Sequence, residues 1–323
     1  KKALLEETTV KKKELIFITI QEIIDFLRAR LESKLKQYNK RNLNKLKEII
    51  RENKSVLSNF SYLSALQIFN IAAPLIAYPF LIRVLGTNNF GLVIYAQSII
   101  SYFVILVTFG FNISATKKVS LHRNNAKKLG EIVSNVLIIK SVLFLLSLFI
   151  LEVFLYYTKQ NRDSVILFNL AMWLCFYEVI FPQWYFQGIE QMKYITYITL
   201  LIRIIFLGLI FIIIKSPDDY LLLPIINGVG TIIAGLISIY IIFFKHNIKF
   251  RFQPIKKLKY YLNDSLTIFI STISFSVYKS TNKVVVGIFL GMSSITFYDL
   301  AEKIIAVAKI PQNILSQSVF PKI

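Results

Sequence analysis

The sequence predicts an all-α fold, a polytopic membrane helical bundle preceded by a basic helical N-terminal extension. Two observations carry that prediction. From Ser58 onward, apolar runs recur to the end of the chain, each near the roughly 20 helical residues that a hydrocarbon core of about 30 Å requires. The cations gather mainly in short stretches between those runs. Composition agrees, because 55% of residues are hydrophobic and the mean hydropathy is +0.58, more apolar than an ordinary soluble domain.

Residues 1–54 are basic and carry Ile16, Ile20, Ile23, Leu27 and Leu31 at helical spacing, which predicts one amphipathic helix. Its cations, including Arg28, Arg30, Lys34 and Lys36, could meet anionic headgroups at about 1 kcal/mol each; a solvated extension reads the same way. Eight spans follow, at approximately 58–82, 91–111, 132–157, 164–187, 194–214, 220–244, 265–290 and 294–318. Two connections are long and basic. One holds Lys117, Lys118, Arg123, Lys127 and Lys128, the other Lys245, Lys249, Arg251, Lys256, Lys257 and Lys259. Alternating spans put both on one side, and the positive-inside rule makes that side cytoplasmic, together with the N-terminal extension. The opposite connections carry only Arg83, Lys159 with Arg162, and Lys215 beside Asp218 and Asp219.

The chain has 38 Lys and Arg against 18 Asp and Glu, a net charge of +20. Cations placed between apolar runs serve topology, so nucleic acid is not the expected partner. Cys175 is the single cysteine and cannot form an intrachain disulfide. His122 and His246 fall in separate polar loops, so neither a metal site nor a cofactor is expected. The chain opens on Lys1 rather than Met and its last apolar run stops at Pro321, Lys322 and Ile323, which suggests a piece of a longer protein.

Proline and glycine interrupt several runs, at Pro74 and Pro79, Pro182, and Pro224 with Gly228 and Gly230. Broken transporter helices and ordinary kinks both use them. Lys140, Glu178, Arg203, Lys279, Lys283, Asp299, Glu302 and Lys303 lie inside predicted spans, where each charge costs about 2.5–3.5 kcal/mol on insertion scales unless it finds a polar interior or a partner. Cations predominate, which suits an anionic substrate, phosphate above all. Ser265, Thr272, Ser276, Lys279 and Lys283 trace one face of the seventh span, although long lysines can also snorkel to an interface. Asp299 and Lys303, four apart, can pair on one helix face. Glu178 and Arg203 stand about 18 Å from the midpoint of the turn between their helices, at similar depth. Whether they meet depends on helix rotation. Arg83, at the outer end of the first span, reads as an interface anchor or a substrate contact.

The stretch Pro79, Phe80, Leu81, Ile82, Arg83, Val84, Leu85, Gly86, then Phe90 and Gly91, resembles the first-helix signature of Wzx-type O-antigen flippases. Trp184, Phe186, Gln187, Gly188 and Glu190 resemble that family's turn after the fourth helix. Tyr278, Lys283, Gly287, Gly291, Tyr298, Ala301, Glu302 and Lys303, then Pro311 and Pro321, resemble its seventh and eighth helices. The similarity runs from about Asn59 to the last residue and implies membership of the multidrug/oligosaccharidyl-lipid/polysaccharide exporter superfamily, whose members place two six-helix lobes around a central cavity. On that pattern, 55–244 is the first six-helix transmembrane lobe, 245–262 a cytoplasmic interlobe linker and 263–323 the first two helices of a second lobe. Residues 1–54 have no counterpart, and Asn282 stands where an acid is common.

The resemblance implies a multi-pass protein of the bacterial inner membrane that flips undecaprenyl-diphosphate-linked oligosaccharide by alternating access, without covalent chemistry. Membrane lipid, polysaccharide polymerase and chain-length proteins are its implied partners. Arg83, Lys140, Arg203, Lys279 and Lys283 are the expected substrate-binding residues, with Glu178, Asp299, Glu302 and Lys303 as coupling or structural ion pairs. The alternatives are a multidrug exporter of the same superfamily, favoured by an acidic or aromatic cavity, and a membrane polymerase, ligase or acyltransferase, which needs an acid/base constellation that the histidine-free outer loops do not offer. A channel or scaffold without substrate would instead make the polar face of the seventh span a subunit contact.

Overall fold

The computed structural model describes residues 54–309, apart from the side chains at 54–61, 63, 65, 275, 276 and 279. The chain divides into two units, Lys1–Ser58 and Asn59–Ile323, and the second is the subject below. The amphipathic extension expected over residues 1–54 lies outside the described residues. Every regular element among the described residues is helical, and five segments are long and apolar enough to cross a membrane.

Helix α1 (Lys54–Thr108) contains two of the predicted spans, because its backbone leaves the helical region at Gly86, with φ 77° and ψ 161°. Helical rise would set Tyr78 and Phe90 about 18 Å apart along a continuous rod. Their rings instead meet edge to face at 5.0 Å, so the chain folds back at Gly86. Pro74 and Pro79 sit inside the first arm without ending it. A left-handed Gly110 opens α2 (Phe111–Leu121), and the Asn125 side chain accepts from Lys128 N at the start of α3 (Ala126–Thr158), satisfying one of the amides that a helix start leaves unpaired.

The fourth span is broken into three pieces, α4 (Arg162–Ala171), α5 (Trp173–Ile180) and α6 (Gln183–Gly188). Pro182, which lacks an N–H, separates α5 from α6. Helix α7 (Met192–Ile213) is uninterrupted. A 3₁₀ turn over Pro217–Leu221, closed by Ser216 and Asp219 in a reciprocal cap, leads into α8 (Leu222–Tyr240). Pro224 falls in the first turn of α8, where its missing donor costs little. A π turn over Ile241–Lys245 ends this span. Helix α9 (Ile255–Leu290) begins ten residues ahead of the expected seventh span, and α10 (Met292–Ala308) follows after Gly291.

Polar contacts sort the connections onto two ends, as alternating spans require. At one end Lys118 pairs with Asp264 at 3.0 Å, Arg123 with Glu190 at 2.8 Å and Lys257 with Glu131 at 3.0 Å, while Arg251 N donates to Ser134 Oγ. This end collects the basic connections. At the other, Asn89 Nδ2 donates to the Pro217 carbonyl, and Ser293 and Thr296 hydroxyls donate to Thr87. Gly91 there lies so close to α10 that a Cβ would stand 1.9 Å from the Met292 carbonyl oxygen.

Candidate functional site

A cavity of about 330 Å³ opens among both arms of α1, the α4–α5 break, α7 and α8, with one residue from α10. Its polar lining includes Tyr78, Gln97, Tyr177, Thr199, Arg203, Asn227, Thr231 and Lys303, set in an apolar wall that includes Leu81, Trp173 and Phe206. Arg203 lies roughly 15 Å from the Ile213 end of α7, deep within the span. Among the described residues no carboxylate stands within ion-pair distance of it, and no Asp or Glu lines the cavity. A partly enclosed site with cations and no lining acid attracts anions, because low-dielectric walls lengthen the reach of positive charge.

The other candidate cations are placed differently. Lys140 is 1% exposed and outside the cavity lining. Its Nζ donates to the Glu178 carbonyl at 3.0 Å, to Glu178 Oε2 at 3.3 Å and to Asn112 Oδ1 at 3.4 Å. The reason lies in the sequence. In a continued helix the Glu178 carbonyl would accept from the amide of residue 182, which is proline and has none. Lys140 supplies the missing donor, and the Glu178 carboxylate answers its charge. Glu178 therefore pairs with Lys140, and Arg203 faces the Tyr177 side instead.

Lys283 of α9 pairs with both Asp299 and Glu302 of α10, the latter at 3.0 Å. Tyr78 of α1 donates to the other oxygen of Asp299. Tyr78 and Lys283 precede, and Asp299 follows, the glycines at 86 and 291 by eight residues, which sets all three groups roughly 12 Å from that end of the bundle. Asp299, the expected i,i+4 partner of Lys303, is thus held by Lys283 and Tyr78, while the Lys303 cation acts on it from the cavity side. Arg83 is exposed at the outer end of the first arm, and the Lys279 side chain lies outside the described residues. On the polar face of α9, Ser265 is buried and shares a 2.6 Å hydrogen bond with Ser114.

Sequence reasoning did not single out Tyr78, Gln97, Trp173, Tyr177 or Asn227 as lining residues. The interruptions at Pro182 and at Pro224 with Gly228 were the available signal, since a broken fourth span and a glycine-bearing sixth leave room between them. Gly228 serves that packing directly, because a Cβ there would stand 2.6 Å from the Trp173 indole.

The polysaccharide biosynthesis protein family model matches residues 56–323. The chain belongs to this family. Within the family context, it is 28% identical over 270 residues to the "Putative O-antigen transporter" of Escherichia coli (strain K12), covering 83% of this chain and 65% of that protein. It is also 27% identical over 254 residues to the protein of the same description from Shigella dysenteriae, covering 79% and 64%. The chain thus spans just under two thirds of the length of these relatives. No solved structure matches it significantly. The Wzx-type resemblance seen in the first, fourth, seventh and eighth spans and this family membership agree, and the long apolar helices make the chain a multi-pass membrane protein of that family.

Proposed function

We propose that this chain forms the first six-helix lobe and the opening helices of the second in a flippase that carries undecaprenyl-diphosphate-linked oligosaccharide across the bacterial inner membrane by alternating access. The observation that carries the reading is Arg203, a cation deep in a membrane span, placed in a cavity with Lys303 and no lining carboxylate. A charge in that position is expensive, and a diphosphate repays it with charge-assisted hydrogen bonds. The basic connections at one end of the bundle orient that end, with the N-terminal extension, toward the cytoplasm. Lys140 and Lys283, each matched by acids, hold helices rather than substrate; Arg83 at the outer end meets the substrate on its release side.

Nothing in this reading requires bond making. The site supplies electrostatic complementarity to a diphosphate, and the helices supply two arrangements between which that complementarity is passed. The test is complementation: the protein at its natural full length, expressed in a strain lacking its O-antigen flippase, restores surface polysaccharide. Arg203→Gln at equal membrane level loses that restoration, and Arg203→Lys retains part of it. Full restoration by Arg203→Gln removes the support for this site.

A further inference from the structure

A second concavity, of about 520 Å³, lies on the outer surface of α3, α5 and α8. Its walls include Phe144, Phe176, Ile232, Leu236 and Ile239, and Leu236 is 62% exposed, so the groove faces the bilayer. Both this volume and the cationic cavity fall within the range of ligand sites. One side chain lines both of them: Trp173. Its indole lies flat on the backbone of α8 at Gly228, where any larger residue would displace it.

We propose that Trp173 is the gate between a headgroup site and a tail site: its indole fills the seam between α5 and α8 at Gly228, and when it swings aside the polyprenyl chain of a lipid diphosphate leaves the cationic cavity there to lie in this groove. The inference rests on the flippase reading and adds the route of the tail. An anionic, apolar-tailed amphiphile fits the arrangement by charge at Arg203 and by polarity at the groove. Because lipid tails are as apolar as the groove walls, burial in it brings no hydrophobic gain over the bilayer. What the groove contributes is a fixed exit, which lets the head stay in the cavity while the tail remains in the hydrocarbon. Ordinary phospholipid can enter the same groove, but only the substrate is tied to Arg203.

The test uses a benzophenone-tailed polyprenyl diphosphate with the full-length protein in nanodiscs of phosphatidylethanolamine and phosphatidylglycerol. Adducts are expected on the peptides holding Phe144, Phe176 and Leu236. Excess unlabelled polyprenyl diphosphate should suppress them, and Arg203→Gln should reduce them about tenfold, the effect of losing one charge-assisted contact. Equal suppression by added phosphatidylglycerol, indifference to Arg203→Gln, or adducts mapping elsewhere overturns the tail site. A transport arm separates this proposal from the reading beneath it. Leu236→Trp, at an exposed position, fills the groove and should block translocation of the lipid-linked sugar. If Leu236→Trp moves the lipid as well as the unaltered protein does, the tail route fails and the flippase stands. If the unaltered protein moves no lipid while the adducts keep their Arg203 dependence, the flippase fails and the tail site stands.

Discussion

Glu178→Gln should damage this protein more than Lys140→Met, although the two residues form one ion pair. Lys140 is 1% exposed and Glu178 21% exposed, so the partners differ in how completely the fold encloses them once alone. Removing the carboxylate strands a buried ammonium, a change that costs about 3–5 kcal/mol in buried pairs; the partial exposure of Glu178 places the expected cost near the lower end. Lys140→Met removes the ammonium, fills similar volume and leaves a less enclosed carboxylate, which can take up a proton and become neutral. Its main cost is the Glu178 carbonyl, left without a donor because residue 182 is proline, at about 1–3 kcal/mol. The double variant should be no worse than Glu178→Gln alone, since no stranded charge remains, giving a coupling energy of about 0.5–3 kcal/mol. Equilibrium unfolding of the purified variants in mixed micelles measures all three. A Glu178→Gln cost no larger than that of Lys140→Met, or costs that simply add, would refute the reasoning.

Gly86 and Gly291 share one backbone conformation, with φ 77° and 85° and ψ 161° and 169°, a region that only glycine enters freely. Alanine at either should cost about 1–3 kcal/mol in the same unfolding assay, as strain alone, because nothing lies within 4 Å of either added Cβ. His246, at the basic end, shares a 2.9 Å hydrogen bond with the Tyr185 hydroxyl, and burial, helped by the Lys245 cation, holds its imidazole below the ordinary 6.5. A depressed histidine stabilises the fold above pH 6.5 and loses that contribution as pH falls toward its folded value. Thermal stability should therefore fall below pH 6.5 more steeply for the unaltered protein than for His246→Gln; parallel profiles would remove His246 from the account. Single cysteines at Asn125 and Asn247, with Cys175 replaced, should resist a membrane-impermeant maleimide in intact cells, and labelling of both before lysis would invert the orientation.

The span pattern was legible because a 20-residue apolar run between charged stretches has few physical readings, and the turn at Gly86 falls in the gap between the first two of those runs. The early start of α9 was hidden because residues 255–264 are basic and polar, so a hydropathy reading ends the span where the helix continues into the aqueous edge. Proline had no fixed meaning: Pro79 remains inside a helix, while Pro182 divides one. The candidate charges were all visible in the sequence, but their partners were not. Glu178 and Arg203 share a depth, yet the rotation of α5 turns the carboxylate toward α3 and Lys140. That choice is settled by tertiary packing and by a missing amide four residues on, neither of which is a property of depth. The spacing of Asp299 and Lys303 set those two charges near one another, whereas the approach of α9 and α1, which also brings Lys283 and Tyr78 to Asp299, belongs to tertiary packing. The cavity needed six helices to be placed at once, which no single-span pattern encodes.

The most direct measurement of the central claim is translocation of a fluorescent lipid-linked oligosaccharide in proteoliposomes holding the full-length protein, read by the fraction accessible to a quencher that does not cross the membrane. The account predicts that the unaltered protein equilibrates the lipid between leaflets, that Arg203→Gln slows this by about tenfold or more, and that Arg203→Lys is intermediate. Equilibration by Arg203→Gln at the unaltered rate would contradict it.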